Sequence, residues 1–140
     1  MTARIRKGME NKDQGFTLIE LLVVMIIIGI LAAIAIPTFL NQRQNGWKAA
    51  VKSDLKNAAI AAESFATDQS NGSFATLTTA LLDTQRGTGK TAAVTVTVAA
   101  KGKTGYCLQG VHADLPATDI FYYNSLVGAP TNTTCAAVVY

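Results

Sequence analysis

Apolar positions along this chain fall into three regimes. From Leu21 to Leu40, twenty consecutive residues are uncharged and mostly apolar, enough for a helix that crosses a bilayer. After Gln42 the pattern becomes periodic. Trp47, Val51, Leu55, Ala58, Ala62 and Phe65 recur every three or four residues and put one apolar stripe on a helix. Lys48, Lys52 and Lys56 line another face at i,i+4, which reads as a solvated surface. Asp68-Gln69-Ser70-Asn71-Gly72-Ser73 has the turn chemistry that ends a helix. A helix from Phe16 to Asp68 would be about 80 Å long. Beyond residue 72 the period drops to two. Ala92-Ala93-Val94-Thr95-Val96-Thr97-Val98 alternates as a half-buried strand does. Lys101-Gly102-Lys103-Thr104-Gly105 is a turn, Tyr106 to His112 a second strand, and Ile120-Phe121-Tyr122-Tyr123 a third. Cys135 to Tyr140 is a short terminal candidate for a fourth, and Ala75 to Asp83 stays between a short helix and a loop. Strands joined by short turns imply an antiparallel sheet, and the stripe from Trp47 to Phe65 is the obvious cover for its apolar face. The pattern predicts an α+β protein.

Four residues stand out along this predicted helix. Gly29 and Gly46 are weak points of a helix. Pro37 lacks the N–H that would reach the carbonyl of Ala33, so a kink is expected there. Glu20, at the edge of the apolar run, costs about 2.5–3.5 kcal/mol if it enters a membrane centre. A carboxylate kept at that cost needs a task, and a positive group can be generated beside it. Cutting between Gly15 and Phe16 frees an α-amine four residues before Glu20.

The run Gly15-Phe16-Thr17-Leu18-Ile19-Glu20, continued without a gap to Pro37, closely resembles the start of type IV pilins, the class III signal of prepilins and pseudopilins. It holds the glycine before the cut, Phe16 after it, Glu20 and Pro37. Residues 41–68 resemble the family in helical character. Residues 69–140 resemble it only in layout and in a late cysteine pair. The resemblance implies a type IV pilin-like fold, in which a long N-terminal helix, half membrane-spanning and half amphipathic, packs on a small antiparallel sheet. It divides the chain into a cytoplasmic leader (1–15, removed), a transmembrane and polymerisation helix (16–40), an amphipathic helix continuing into the head (41–68) and a β-rich head (69–140). It further implies that a prepilin peptidase cuts after Gly15 and N-methylates Phe16. The new amine would pair with Glu20 of a neighbouring subunit as the protein assembles into a homo-oligomeric helical filament with the pilus assembly machinery. The chain would be a single-pass membrane protein before assembly and part of an extracellular surface filament afterwards, serving adhesion, motility or DNA uptake. No enzyme, cofactor or small-molecule substrate is implied. A pseudopilin or minor pilin of a type II secretion or competence machine shares these residues. A monomeric membrane-anchored binding domain is the alternative from another class.

Other readings of the N-terminus fit less well. Ala33-Ile34-Ala35 matches a secretory cleavage site, but the apolar stretch is too long for an h-region and continues past the cut. No cysteine follows it to make a lipoprotein. Arg4, Arg6, Lys7 and Lys12 precede the span and Arg43, Lys48, Lys52 and Lys56 follow it, so the positive-inside count does not set the orientation.

The sequence pI near 9 comes partly from the leader. The chain's 12 basic and 9 acidic side chains lose four and two with residues 1–15, leaving a net of +1. A DNA contact is compatible with the family, but the charge pattern gives no case for one. Cys107 and Cys135 read as a disulfide in an exported chain, and closing that loop stabilises by about 3.5 kcal/mol on a chain-entropy estimate. Neither they nor the lone His112 have metal-ligand spacing, and His112 reads as exposed or locally bonded. Thr84-Gln85-Arg86-Gly87-Thr88-Gly89-Lys90-Thr91 ends like a P-loop but lacks its first glycine and a following helix, and reads as a flexible loop. Asp114 and Asp119 are too few for calcium. Asn71-Gly72-Ser73 and Asn132-Thr133-Thr134 fit the short glycosylation sequon.

Overall fold

The structure is a computed structural model that describes residues 15–135. Residues 1–14 of the expected leader (1–15) and 136–140 of the strand expected from Cys135 to Tyr140 lie outside the described residues. The elements in chain order are α1 (Leu18–Asp68), α2 (Thr79–Arg86), β1 (Val94–Lys101), β2 (Tyr106–His112), β3 (Phe121–Asn124) and β4 (Ala129–Thr131). This is the α+β, type IV pilin-like layout of a long N-terminal helix and a four-stranded antiparallel sheet.

The chain divides into two units after Leu40. In the first, α1 exposes its large apolar side chains, among them Leu18, Ile26, Ile30, Ile34 and Phe39. Helix α1 is long and apolar enough to cross a membrane. It runs through Gly29, Pro37 and Gly46. Beside the proline, the Thr38 hydroxyl donates to the Ile34 carbonyl at 3.0 Å, a local side-chain bond of the kind that accompanies helix bending.

In the second unit the expected stripe is the core. Val51, Leu55, Ala58 and Ala62 are fully buried and Phe65 nearly so, with Trp47 packed at the edge. They meet Val94 and Val96 of β1, Tyr106 and Leu108 of β2, and Phe121 of β3, closed off by Phe74, Leu77, Leu82 and Leu115. The sheet order is β1-β2-β3-β4, every neighbour antiparallel. Val96 faces Gly110, which faces Phe121 on the other side. A Cβ on Gly110 would stand 2.8 Å from Val51 Cγ1 and 3.0 Å from Leu55 Cγ. The helix therefore sits so closely on the central strand that only glycine fits beneath it.

Several expectations need correction. The ambiguous stretch from Ala75 contains α2, capped by Thr78, whose hydroxyl accepts from the Leu81 N–H at 3.2 Å. The first strand starts two residues later than the alternation suggested and runs on to Lys101, with a register shift between Val98 and Ala100. The edge strand β4 was not foreseen. It is three residues long and contains Pro130, which a sheet tolerates at its edge.

Candidate processing and assembly segment

Gly15 and Phe16 precede α1, and the Phe16 side chain is 79% exposed. Thr17 then opens the helix by a reciprocal device. The Thr17 N–H and hydroxyl donate to Glu20 Oε2 at 3.2 and 3.1 Å, and the Glu20 N–H donates back to the Thr17 hydroxyl at 3.3 Å. This is a capping box, which satisfies backbone donors that a helix start leaves unpaired. A carboxylate there also complements the positive end of the helix dipole. Glu20 thus has a partner within its own subunit. The sequence reading missed this, although Thr-x-x-Glu before an apolar run is the signal for it.

The other singled-out residues lie elsewhere. Pro37 is within α1. Cys107 of β2 is bonded to Cys135, which follows β4, with Cα atoms 5.7 Å apart. The link holds the C-terminal end of the sheet to its central strand. His112 is locally bonded, as one of its two readings had it, but buried, not exposed. It stacks on Trp47 with ring centroids 5.3 Å apart, and its Nδ1 accepts from the Asp114 N–H at 3.1 Å. Asp119 instead pairs with Lys48 at 2.9 Å.

Two buried polar clusters had no strong sequence signal. Asp54, 4% exposed on α1, accepts from Arg86 Nη2 at 3.3 Å, from the Thr91 N–H at 2.9 Å and from the Thr91 hydroxyl at 3.1 Å. Arg86 is equally buried, and its fork also reaches Asp83 at 3.6 Å. The segment read as a flexible Gly/Thr loop is therefore fastened to α1 at both ends. Its first residues, Thr84 to Arg86, complete α2, and Gly87 caps that helix at φ 55°. The segment meets the C-terminal end of a helix, the wrong pole for a phosphate. In the second cluster, the Tyr106 hydroxyl reaches the Ala59 carbonyl at 3.1 Å and Glu63 Oε1 at 3.0 Å. Burial, reinforced by Glu63, pushes the Tyr106 phenol well above the ordinary tyrosine range.

Fold and segment together define the class, a type IV pilin-like protein with one candidate membrane helix among the described residues. Residues 11–36 match the Prokaryotic N-terminal methylation motif, so the N-terminal segment carries a type IV prepilin motif. The chain is 48% identical over 54 residues to the Type IV major pilin protein PilA of Myxococcus xanthus, covering 39% of this chain and 24% of that one. It is 42% identical over 64 residues to the Type IV major fimbrial protein FimA of Dichelobacter nodosus, covering 46% and 41%. It is also 38% identical over 61 residues to the Type II secretion system core protein G of Pseudomonas aeruginosa, covering 43% of each. In all three the chain spans less than half of the relative's length. The family is structural, not enzymatic, and the relatives support a pilin-like function.

Proposed function

We propose that this protein is a pilin subunit. A prepilin peptidase removes residues 1–15 and methylates the Phe16 amine, α1 holds the subunit in the membrane up to Leu40, and subunits then polymerise into a type IV pilus on the cell surface. The single observation that carries this is the motif across residues 11–36, within which Glu20 is the sole acid after Asp13. In lipid or in a filament core, a carboxylate paired with a neighbour's amine gives register, while an unpaired one is costly. The exposed apolar half of α1 needs such a setting, because it buries nothing within the subunit. Adhesion, motility and DNA uptake would be properties of the assembled head surface. The likeness to a type II secretion core protein supports a second reading, a pseudopilin that forms short periplasmic fibres.

The N-terminal mass of protein sheared from intact cells tests the proposal. A methylated start at Phe16 in long filaments is the expected result. A start at Ile36 would point to a secretory signal, an uncleaved Met1 to a monomeric anchored domain, and a Phe16 start confined to short envelope fibres to a pseudopilin.

A further inference from the structure

The segment just after the apolar run carries an unbalanced charge. Between Glu20 and Asp54 the charged residues are Arg43, Lys48 and Lys52, all basic. Basic residues at this end of a span oppose its translocation, so a compensating task is expected of them. Two are occupied by the head, since Lys48 pairs with Asp119 and the Lys52 ammonium lies 5.3 Å from the centre of the Phe121 ring. Arg43 has no acidic partner among the described residues. Its guanidinium lies over the Trp47 ring, 4.7 Å from the centroid, a stacking that leaves the N–H fork free at its edges. The same ring also stacks on His112.

We infer that Arg43 and Trp47 form a docking surface for the phosphate headgroup of an anionic phospholipid, in the leaflet where the span emerges. The inference rests on the membrane-anchored reading above. Arg43 lies three residues past Leu40 and Trp47 seven, about 4.5 and 10 Å along a helix. The headgroup zone is about 5–8 Å deep on each side. Helical side chains lean toward the N-terminus, which brings the Trp47 ring back into that zone. Tryptophan and arginine are the residues that favour it, one for its amphipathic ring and the other for its planar phosphate-matching fork. One free cation close to the span suits a lipid headgroup and makes no track for a nucleic acid.

Trp47 is the chain's sole tryptophan, so its fluorescence reads the site directly. The full-length precursor is reconstituted into vesicles, its insertion checked by co-flotation. Quenching by brominated phosphatidylglycerol is then compared with quenching by brominated phosphatidylcholine at the same mole fraction and low salt. One basic residue near a charged surface corresponds to a local enrichment of about fivefold, so the anionic lipid should quench distinctly more. Arg43→Gln should make the two lipids equal, with co-flotation and emission in detergent unchanged. Equal quenching of the wild-type protein by both lipids, no quenching by either, or an Arg43→Gln protein that keeps the preference would overturn the inference and leave the membrane anchor standing. Failure to co-float would remove the anchor and the inference together.

Discussion

Between Leu18 and Leu40, α1 exposes isoleucine, leucine and valine side chains on every face, and between Trp47 and Ala66 it buries one stripe and exposes the rest. Both stretches have helical backbone and belong to the same element. The difference lies in what satisfies the side chains. In the second stretch the protein supplies the partner, down to the missing side chain of Gly110 beneath Val51 and Leu55. In the first, the described residues supply none, and the apolar surface stays exposed. An amphipathic helix stabilises a head, whereas a helix apolar all round requires an apolar surrounding. The polar groups follow the same division. Asp54 and Tyr106 are paired by long-range contacts, Glu20 by a contact three residues away.

The comparison breaks most visibly at Glu20. Replacing it by alanine should abolish most filaments and leave the melting temperature of the head unchanged. Glu20→Gln sharpens the test, because glutamine can keep the capping box but carries no charge. Filament counts by electron microscopy that fall in both variants assign the role to the charge, whereas loss in the alanine variant alone assigns it to the cap.

In the head the largest effect should come from Asp54→Ala. It leaves the buried Arg86 fork with only the looser Asp83 contact, at a cost of about 3–5 kcal/mol, measured by denaturant unfolding with membrane insertion unaffected. Next, Leu55→Ala should cost about 2–5 kcal/mol as a buried truncation, while Lys52→Ala, less than one turn away on the exposed face, should cost within about 0.5 kcal/mol. Equal melting temperatures for these two would mean that the stripe faces no core.

Tyr106→Phe should cost less at neutral pH than either buried replacement, about 0.5–1.5 kcal/mol for the lost hydrogen bonds. Its pH dependence is more telling. The native phenol keeps its proton above the ordinary tyrosine range, while the unfolded chain releases it near pH 10. That contribution is therefore fully present below about pH 10 and is lost as pH rises beyond it. Unfolding curves from neutral to alkaline pH should show this decline in the wild-type protein and a shallower one in Tyr106→Phe.

Much of the layout was legible because period and burial are coupled locally. The stripe from Val51 to Phe65 had helical spacing, and Tyr106 to His112, set off by the turn before it, read as a strand that matches β2 residue for residue. Less was legible where local propensity was weak. Residues 79–86 form a helix whose buried residue is Leu82 alone, too few to show a period. Strand β4 contains a proline and is defined by pairing with β3, not by its own composition. The capping box was readable from Thr17 and Glu20 alone, as Thr-x-x-Glu before an apolar run.

The sequence by itself determined the prepilin motif, the membrane-length apolar run, the apolar stripe and the cysteine pair, because each is a matter of residue type at short spacing. Only the tertiary structure decided that Asp54 holds Arg86 and Thr91, 32 and 37 residues away, that Tyr106 reaches back to Ala59 and Glu63, and that Gly110 must lack a side chain. A buried polar group or a close approach of helix to strand depends on which distant residues share one small volume, and no local spacing records that.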